Sequence, residues 1–177
     1  MNYLMPAQAA AQLFSLIVLS AIARWYGLPW LNRQTRATAL ISLLWVHVGR
    51  YVALQVPSAQ GTGFPISNAG AMEIVVGDVA GAILAFAAIA LLRSRIRFGL
   101  ALTWLLAAET VYDTISNIRG GVREHLMGAA SGVTWMILVF FVPIVVVSAI
   151  LLIGQLLSRR GEALDSQYRS DVTELPQ

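Results

Sequence analysis

The sequence predicts an all-α membrane protein, a polytopic bundle of five transmembrane helices. Three observations predict it. Of 177 residues, 58% are hydrophobic and only 12% charged, whereas a soluble domain carries about 25% charged residues. The apolar residues fall in runs that match a hydrocarbon core about 30 Å thick, which takes roughly 20 helical residues to cross. All 12 basic residues are arginines, and most sit in alternate loops.

The first span runs from about Leu4 to Ala23. Trp25, Tyr26 and Trp30 follow it as an interfacial aromatic belt. Ser20-Ala21-Ile22-Ala23 resembles a small-residue cleavage site, but no positive region precedes it, so the span is read as retained. The second span runs from about Ala37 to Val56 and ends before Pro57. The third runs from about Asn68 to Leu92 and the fourth from about Phe98 to Ile118. The fifth lies between about Leu126 and Leu157, a stretch too long for one simple crossing. Gly128 and Gly132 mark a break at its start, and Pro143 is expected to kink it because proline removes a backbone donor and crowds the preceding turn.

Orientation follows from the arginines. Arg24, Arg33 and Arg36 lie in the first loop, Arg93, Arg95 and Arg97 in the third, and Arg159 and Arg160 after the last span. The second loop, Pro57 to Ser67, has no charge. The positive-inside rule then places the N-terminus outside and the C-terminus inside. The chain divides into a helix bundle over residues 1–157 and a polar cytoplasmic tail over 158–177, expected to be disordered.

Composition excludes several chemistries. There is no cysteine, hence no disulfide, thiolate metal site, iron–sulfur cluster or cysteine nucleophile. There is no lysine, hence no Schiff base. A net charge of +3 is too small to argue for nucleic acid, and the expected partner is the lipid bilayer.

The spans nevertheless contain ionisable residues, each costing about 2.5–3.5 kcal/mol at the bilayer centre on insertion scales. His47 and Arg50 lie in span two, Glu73 and Asp78 in span three, and Glu109 and Asp113 in span four. His125 stands near the start of span five. Depths counted at about 1.5 Å per residue put all of them between the midplane and the outer surface. One-sided polarity of this kind describes a cavity open to the outside and closed within. Glu109, Asp113 and Asn117 repeat every fourth residue and share a face. Tyr51, four residues after His47, falls on the His47 face. Glu73 and Asp78 lie on opposite sides of span three, so Glu73 is expected to point away. Gly70, Gly77 and Gly81 form a stripe expected to let another helix approach.

The candidate binding residues are therefore His47, Arg50, Tyr51, Asp78, Glu109 and Asp113, with Glu73, Asn117 and His125 as further candidates. The simplest role for Arg50 is a structural ion pair with Asp78 or Asp113. One arginine does not neutralise four acids, and buried carboxylates beside one another exchange protons readily. The cluster thus suits binding or proton-coupled transport of a small solute or cation, with His47 as a relay. Five spans are few for a carrier, so transport would call for a homo-oligomer. The alternatives are a membrane-embedded enzyme, a binding protein for a membrane-soluble ligand such as a lipid, quinone or metal cofactor, or a structural subunit of a membrane complex. No nucleophile motif identifies a catalytic residue. No Glu-x-x-His or His-x-x-x-His pair gives a metal-ligand spacing. The two histidines differ too much in depth to clasp one haem, so the residues name no cofactor.

One pattern adds to this reading. His47-Val48-Gly49-Arg50-Tyr51 is followed by Gly77-Asp78, Tyr112-Asp113, Gly132-Val133-Thr134-Trp135 and Phe141-Val142-Pro143. Over roughly residues 40–155 this order resembles a group of small, uncharacterised bacterial multi-pass membrane proteins with a His-x-x-Arg-Tyr span, a Gly-Asp span and a late Phe-x-Val-Pro span. The resemblance implies a bacterial inner membrane as the location and supplies no activity.

Overall fold

The computed structural model describes residues 4–165. Five long helices account for the bundle: α1 (Leu4–Asn32), α2 (Arg36–Gly61), α3 (Asn68–Arg93), α4 (Phe98–Arg123) and α5 (Gly132–Ser158). All but α4 are long and apolar enough to cross a membrane. Helix α4 has the same 26 residues as α3 but carries Glu109, Asp113, Arg119 and Arg123. Among the described residues there is no strand.

Polar residues at the helix starts decide where α2 and α3 begin. Thr35 and Ser67 have extended backbones, and their hydroxyls accept hydrogen bonds from the amides of Thr38 (3.3 Å) and Gly70 (3.0 Å). The fifth helix starts at Gly132, after a loop in which Gly128 has a φ of 83°. A Cβ on Gly128 would press on the backbone of Met5, 2.6 Å from its amide nitrogen, so this bare glycine seats the start of α1.

Three segments depart from α-helical winding. Residues Ala23–Gly27 in α1 and Ile137–Phe141 in α5 form wide π-type turns. Each is followed two residues later by a proline, Pro29 and Pro143. A proline ring clashes with the carbonyl four residues back, and widening the turn moves that carbonyl aside. The expected disturbance at Pro143 thus takes the form of a π turn one step ahead of it. In α2, Gly49–Gln55 winds as a tighter 3₁₀ helix and the chain continues helically through Pro57 to Gly61. The expected end of span two before Pro57 is corrected accordingly: proline is tolerated in the first turn of the following helix, where its missing donor is not needed.

Helix α3 packs against α2 and α4, α2 also against α5, and α1 chiefly against α5. The half of the bundle toward the start of α2 is filled by side chains. Leu40, Leu44, Ala85, Ala88, Leu92, Leu106, Leu152 and Leu156 form one buried cluster there. In lipid such packing is driven by close contact more than by escape from water, which suits the small Ala85 and Ala88 on α3, both wholly buried. Replacing Ala88 by leucine would force α3 away from its neighbours.

The same end is sealed by the chain after α5. Arg159 is wholly buried, its Nε donating to Glu162 Oε2 (2.7 Å) and its Nη1 to the Gln34 carbonyl (3.2 Å). Arg36 donates to the Glu162 carbonyl (2.7 Å), the Ala37 amide donates to the Leu164 carbonyl (2.9 Å), and Arg95 pairs with Asp165. The remainder of the tail, residues 166–177, expected to be disordered, lies outside the described residues.

Candidate functional site

Beyond the packed half, the other half of the bundle encloses a cavity of about 470 Å³. It is lined by the first turns of α1, the end of α2, the start of α3, the end of α4 and the start of α5. Its deep end is polar, and Arg50 is the centre.

The 3₁₀ winding puts Arg50 there. Leu44, His47, Arg50, Ala53 and Val56 are all buried and all three residues apart. Arg50 and Ala53 lie in the 3₁₀ segment, which places every third side chain on one line, and they continue the buried face of Leu44 and His47. An α-helical projection brings Tyr51 to the His47 face, but the tighter winding turns it away. Tyr51 is 60% exposed and no contact joins it to the cluster, so the expectation for Tyr51 is corrected.

Arg50 is 2% exposed and uses every N–H of its guanidinium. Nε donates to Asp78 Oδ1 at 2.7 Å. Nη1 donates to Glu109 Oε2 at 2.6 Å and to Thr110 Oγ1 at 3.2 Å. Nη2 donates to Glu109 Oε1 at 3.1 Å and to Asp113 Oδ2 at 2.7 Å. Both Asp78 and Asp113 are thus partners, and Glu109 is bound in the two-pronged manner that suits a guanidinium. Asn117 extends the α4 face as its spacing predicts, donating to Asp113 Oδ2 at 3.0 Å. One guanidinium against three carboxylates leaves the site two negative charges in excess when the acids are ionised.

His47 is wholly buried behind this cluster. Its Nδ1 lies 3.5 Å from Thr110 Oγ1, and its Nε2 has no partner. Thr110 therefore connects the histidine to Arg50. Its residue type does not single it out in the sequence, because threonine is common in apolar spans. Its one signal is its place beside Glu109 and three residues before Asp113.

Two residues of α1 that the charge pattern does not point to also belong to the cavity. Gln8 is 5% exposed, lines the cavity, and its Oε1 has no partner. Gln12 donates to the Leu138 carbonyl at 3.0 Å. The reason lies in the π turn: Val142 donates to the Ile137 carbonyl five residues back, so residue 143 would serve Leu138, but Pro143 has no N–H. Gln12 supplies the missing donor from another helix. The available signal was two amides inside an otherwise apolar first span.

The glycines of α3 are points of close approach. A Cβ on Gly81 would overlap Arg50 Nη1, one on Gly77 would overlap Asp113 Oδ1, and one on Gly70 would overlap Glu124 Oε1. The stripe thus lets α4 approach α3 closely, as expected, and at each glycine the atom it admits is a polar side chain, of Arg50, Asp113 or Glu124.

Glu73 makes no bond to Arg50, but it lines the same cavity as Asp78. It accepts from Ser116 Oγ (3.0 Å) and lies 3.6 Å from Arg123 Nη2 near the mouth. His125 is exposed in the turn after α4 and has no side-chain contact with the cluster. Glu124 joins the ends of α4 and α3, accepting from the Ser67 amide and hydroxyl, each at 2.8 Å. These bonds hold its carboxyl below the usual glutamate range. Among the described residues, no group of three or more His, Asp or Glu side chains is placed to hold a metal ion.

Residues 7–157 match the family model described as a domain of unknown function, DUF8737. The chain belongs to this family. The match spans the five helices and includes every residue of the Arg50 cluster, together with Gln8 and Gln12. No curated protein and no solved structure matches the chain.

Proposed function

We propose that this DUF8737 protein binds a small, largely apolar molecule in its intramembrane cavity and exchanges protons at the Arg50 cluster as it does so, as a proton-linked transport or binding protein. The observation that carries the reading is the join between an apolar chamber and a deep polar floor. The chamber is of ligand size, since small-molecule sites span about 300–1,000 Å³, and it ends on Arg50, Asp78 and Asp113, with Glu109 bound to Arg50 behind them. A purely structural ion pair needs one acid per arginine. Three acids around one arginine leave charge that protons or a ligand must balance.

The arginine distribution supports a bacterial inner-membrane protein with its N-terminus outside. In that orientation the cavity faces outward, because it lies at the end that holds the start of α1 and the uncharged 57–67 segment. The native chain has no cysteine, so single cysteines at Thr62 and at Ser94 can be labelled with a membrane-impermeant maleimide. Thr62 is expected to react from outside and Ser94 only after lysis.

Binding is tested in lipid nanodiscs by native mass spectrometry against a small-molecule library. Saturable adducts that disappear when the chamber is filled by Thr114→Trp support the reading. A bound compound should then enter proteoliposomes under a pH gradient, and Glu109→Gln should remove the pH dependence. Adducts indifferent to both Thr114→Trp and Val145→Trp refute a ligand site in the cavity.

A further inference from the structure

We infer that the ligand of this cavity is an organic cation, an amine or ammonium group on an apolar body, with its charged head at Asp78 and Asp113. This rests on the cavity being a ligand site, as proposed above, and adds the sign of the ligand's charge.

An arginine in a cavity ordinarily suggests an anion. Here that is ruled out by the count of donors. Arg50 is the only cationic side chain lining the cavity among the described residues, and all its N–H groups are engaged by Asp78, Glu109, Thr110 and Asp113. A carboxylate or phosphate entering the chamber would find no donor on it and would face Asp78 and Asp113 on a lining that also holds Glu73 and Glu124. The acceptors, by contrast, are in surplus. Asp78 bonds Arg50 through Oδ1 alone, and Asp113 receives both of its bonds on Oδ2. That leaves Asp78 Oδ2 and Asp113 Oδ1 without partners on two residues that line the cavity.

Gln8 points the same way independently. It comes from a different helix, is 95% buried against the same chamber, and its Oε1 is an unsatisfied acceptor. A buried acceptor without a partner is costly unless something donates to it. The remaining wall is apolar, with Ile74, Leu126, Ile137, Phe141 and Val145. Free acceptors, excess negative charge and an apolar wall together fit a lipophilic amine.

Three probes with the same chain and different charge separate the outcomes: octylamine, octanol and octanoate. Each is titrated into nanodiscs and read by native mass spectrometry for wild type, Asp78→Asn/Asp113→Asn and Thr114→Trp. Comparing each probe between proteins in identical nanodiscs removes its partitioning into lipid. Wild type is expected to bind octylamine about tenfold more tightly than the double variant does, the effect of one charge-assisted hydrogen bond. Octanol should bind both proteins equally. If the double variant does not fold, Gln8→Leu on the peripheral α1 takes its place, with an expected loss of about threefold for octylamine. Octylamine affinity unchanged in these variants, or octanoate binding as tightly as octylamine, overturns the cation assignment while the cavity reading stands. If no probe gives a saturable complex sensitive to Thr114→Trp, both fall.

Discussion

Replacing glycine by alanine inside a helix ordinarily stabilises it by up to about 1 kcal/mol. At Gly81 the sign should reverse. A methyl group there would overlap Arg50 Nη1 and would stand 2.7 Å from Arg50 Cζ and 2.9 Å from Glu109 Oε2. The guanidinium has to move, and the bonds at risk are those of Nη1 to Glu109 and Thr110. Hydrogen bonds to charged groups contribute about 1.5–3 kcal/mol net, and weaker ones about 0.5–1.5 kcal/mol. Losing both and adding back the helix preference leaves Gly81→Ala destabilised by about 1–4 kcal/mol. Gly154 provides the control, since it is exposed on α5 and a Cβ there meets nothing within 4 Å. Gly154→Ala should be neutral or up to about 1 kcal/mol more stable. Equilibrium unfolding in mixed detergent and SDS, followed by tryptophan fluorescence, measures both. A Gly81→Ala protein as stable as Gly154→Ala would refute the claim that this glycine exists to admit Arg50.

Arg50→Lys keeps the charge but offers at most three donors where five are in use. Two orphaned acceptors at about 1–3 kcal/mol each predict a loss of about 2–6 kcal/mol in the same unfolding assay. Gln12→Leu strips the Leu138 carbonyl of its donor and should cost about 1–3 kcal/mol. Pro143→Ala restores an N–H to α5, so a double-mutant cycle with Gln12→Leu should show that the second change recovers part of the first loss. Glu124 has its carboxyl lowered by Ser67, so its stabilising contribution is present above the usual glutamate pKa and disappears as pH falls through the lowered value. Glu124→Gln should therefore be less stable than wild type near neutral pH, with the difference closing in acid, as read by thermal unfolding at a series of pH values.

Much of this architecture is legible in the sequence because a bilayer imposes simple rules. Length and hydropathy locate the helices, and the cost of intramembrane charge makes His47, Arg50, Asp78, Glu109 and Asp113 conspicuous. Spacing of four places Asn117 with Asp113, and the separation of Glu73 from Asp78 keeps Glu73 off Arg50, although both acids line the one cavity. What fails is anything that depends on a change of winding. An α-helical projection assigns Tyr51 to the site, and the 3₁₀ winding that begins at Gly49 rotates it out. Pro57 looked like the end of a span because its preference for helix starts does not reveal that a new turn begins there. Gln8, Gln12 and Thr110 escaped because neutral polar residues are inexpensive in a membrane and so do not stand out. The α3 glycines mark a site of close approach, but pattern alone does not say whether a backbone or a side chain approaches.

The irregular turns also explain why the cavity lies where it does. The 3₁₀ segment of α2 and the π turn of α5 stand opposite each other, since a Cβ on Gly49 would lie 3.2 Å from the Phe141 ring. Arg50 and Ala53 line the chamber from one side, Ile137, Leu138 and Phe141 from the other. A 3₁₀ helix is narrower than an α-helix and a π turn is wider. The narrowing aligns Arg50 and Ala53 on one inward edge, between His47 and Val56 of the flanking α-helical turns. The widening turns the α5 backbone so that a carbonyl is left free for Gln12 of α1. In the packed half, where α2, α3 and the last turns of α5 keep regular winding, leucine and alanine fill the space. The chamber and its charged floor thus follow from two local departures from the α-helix. One lies next to the glycine in His-Val-Gly-Arg, and the other is forced by the proline in Phe-Val-Pro.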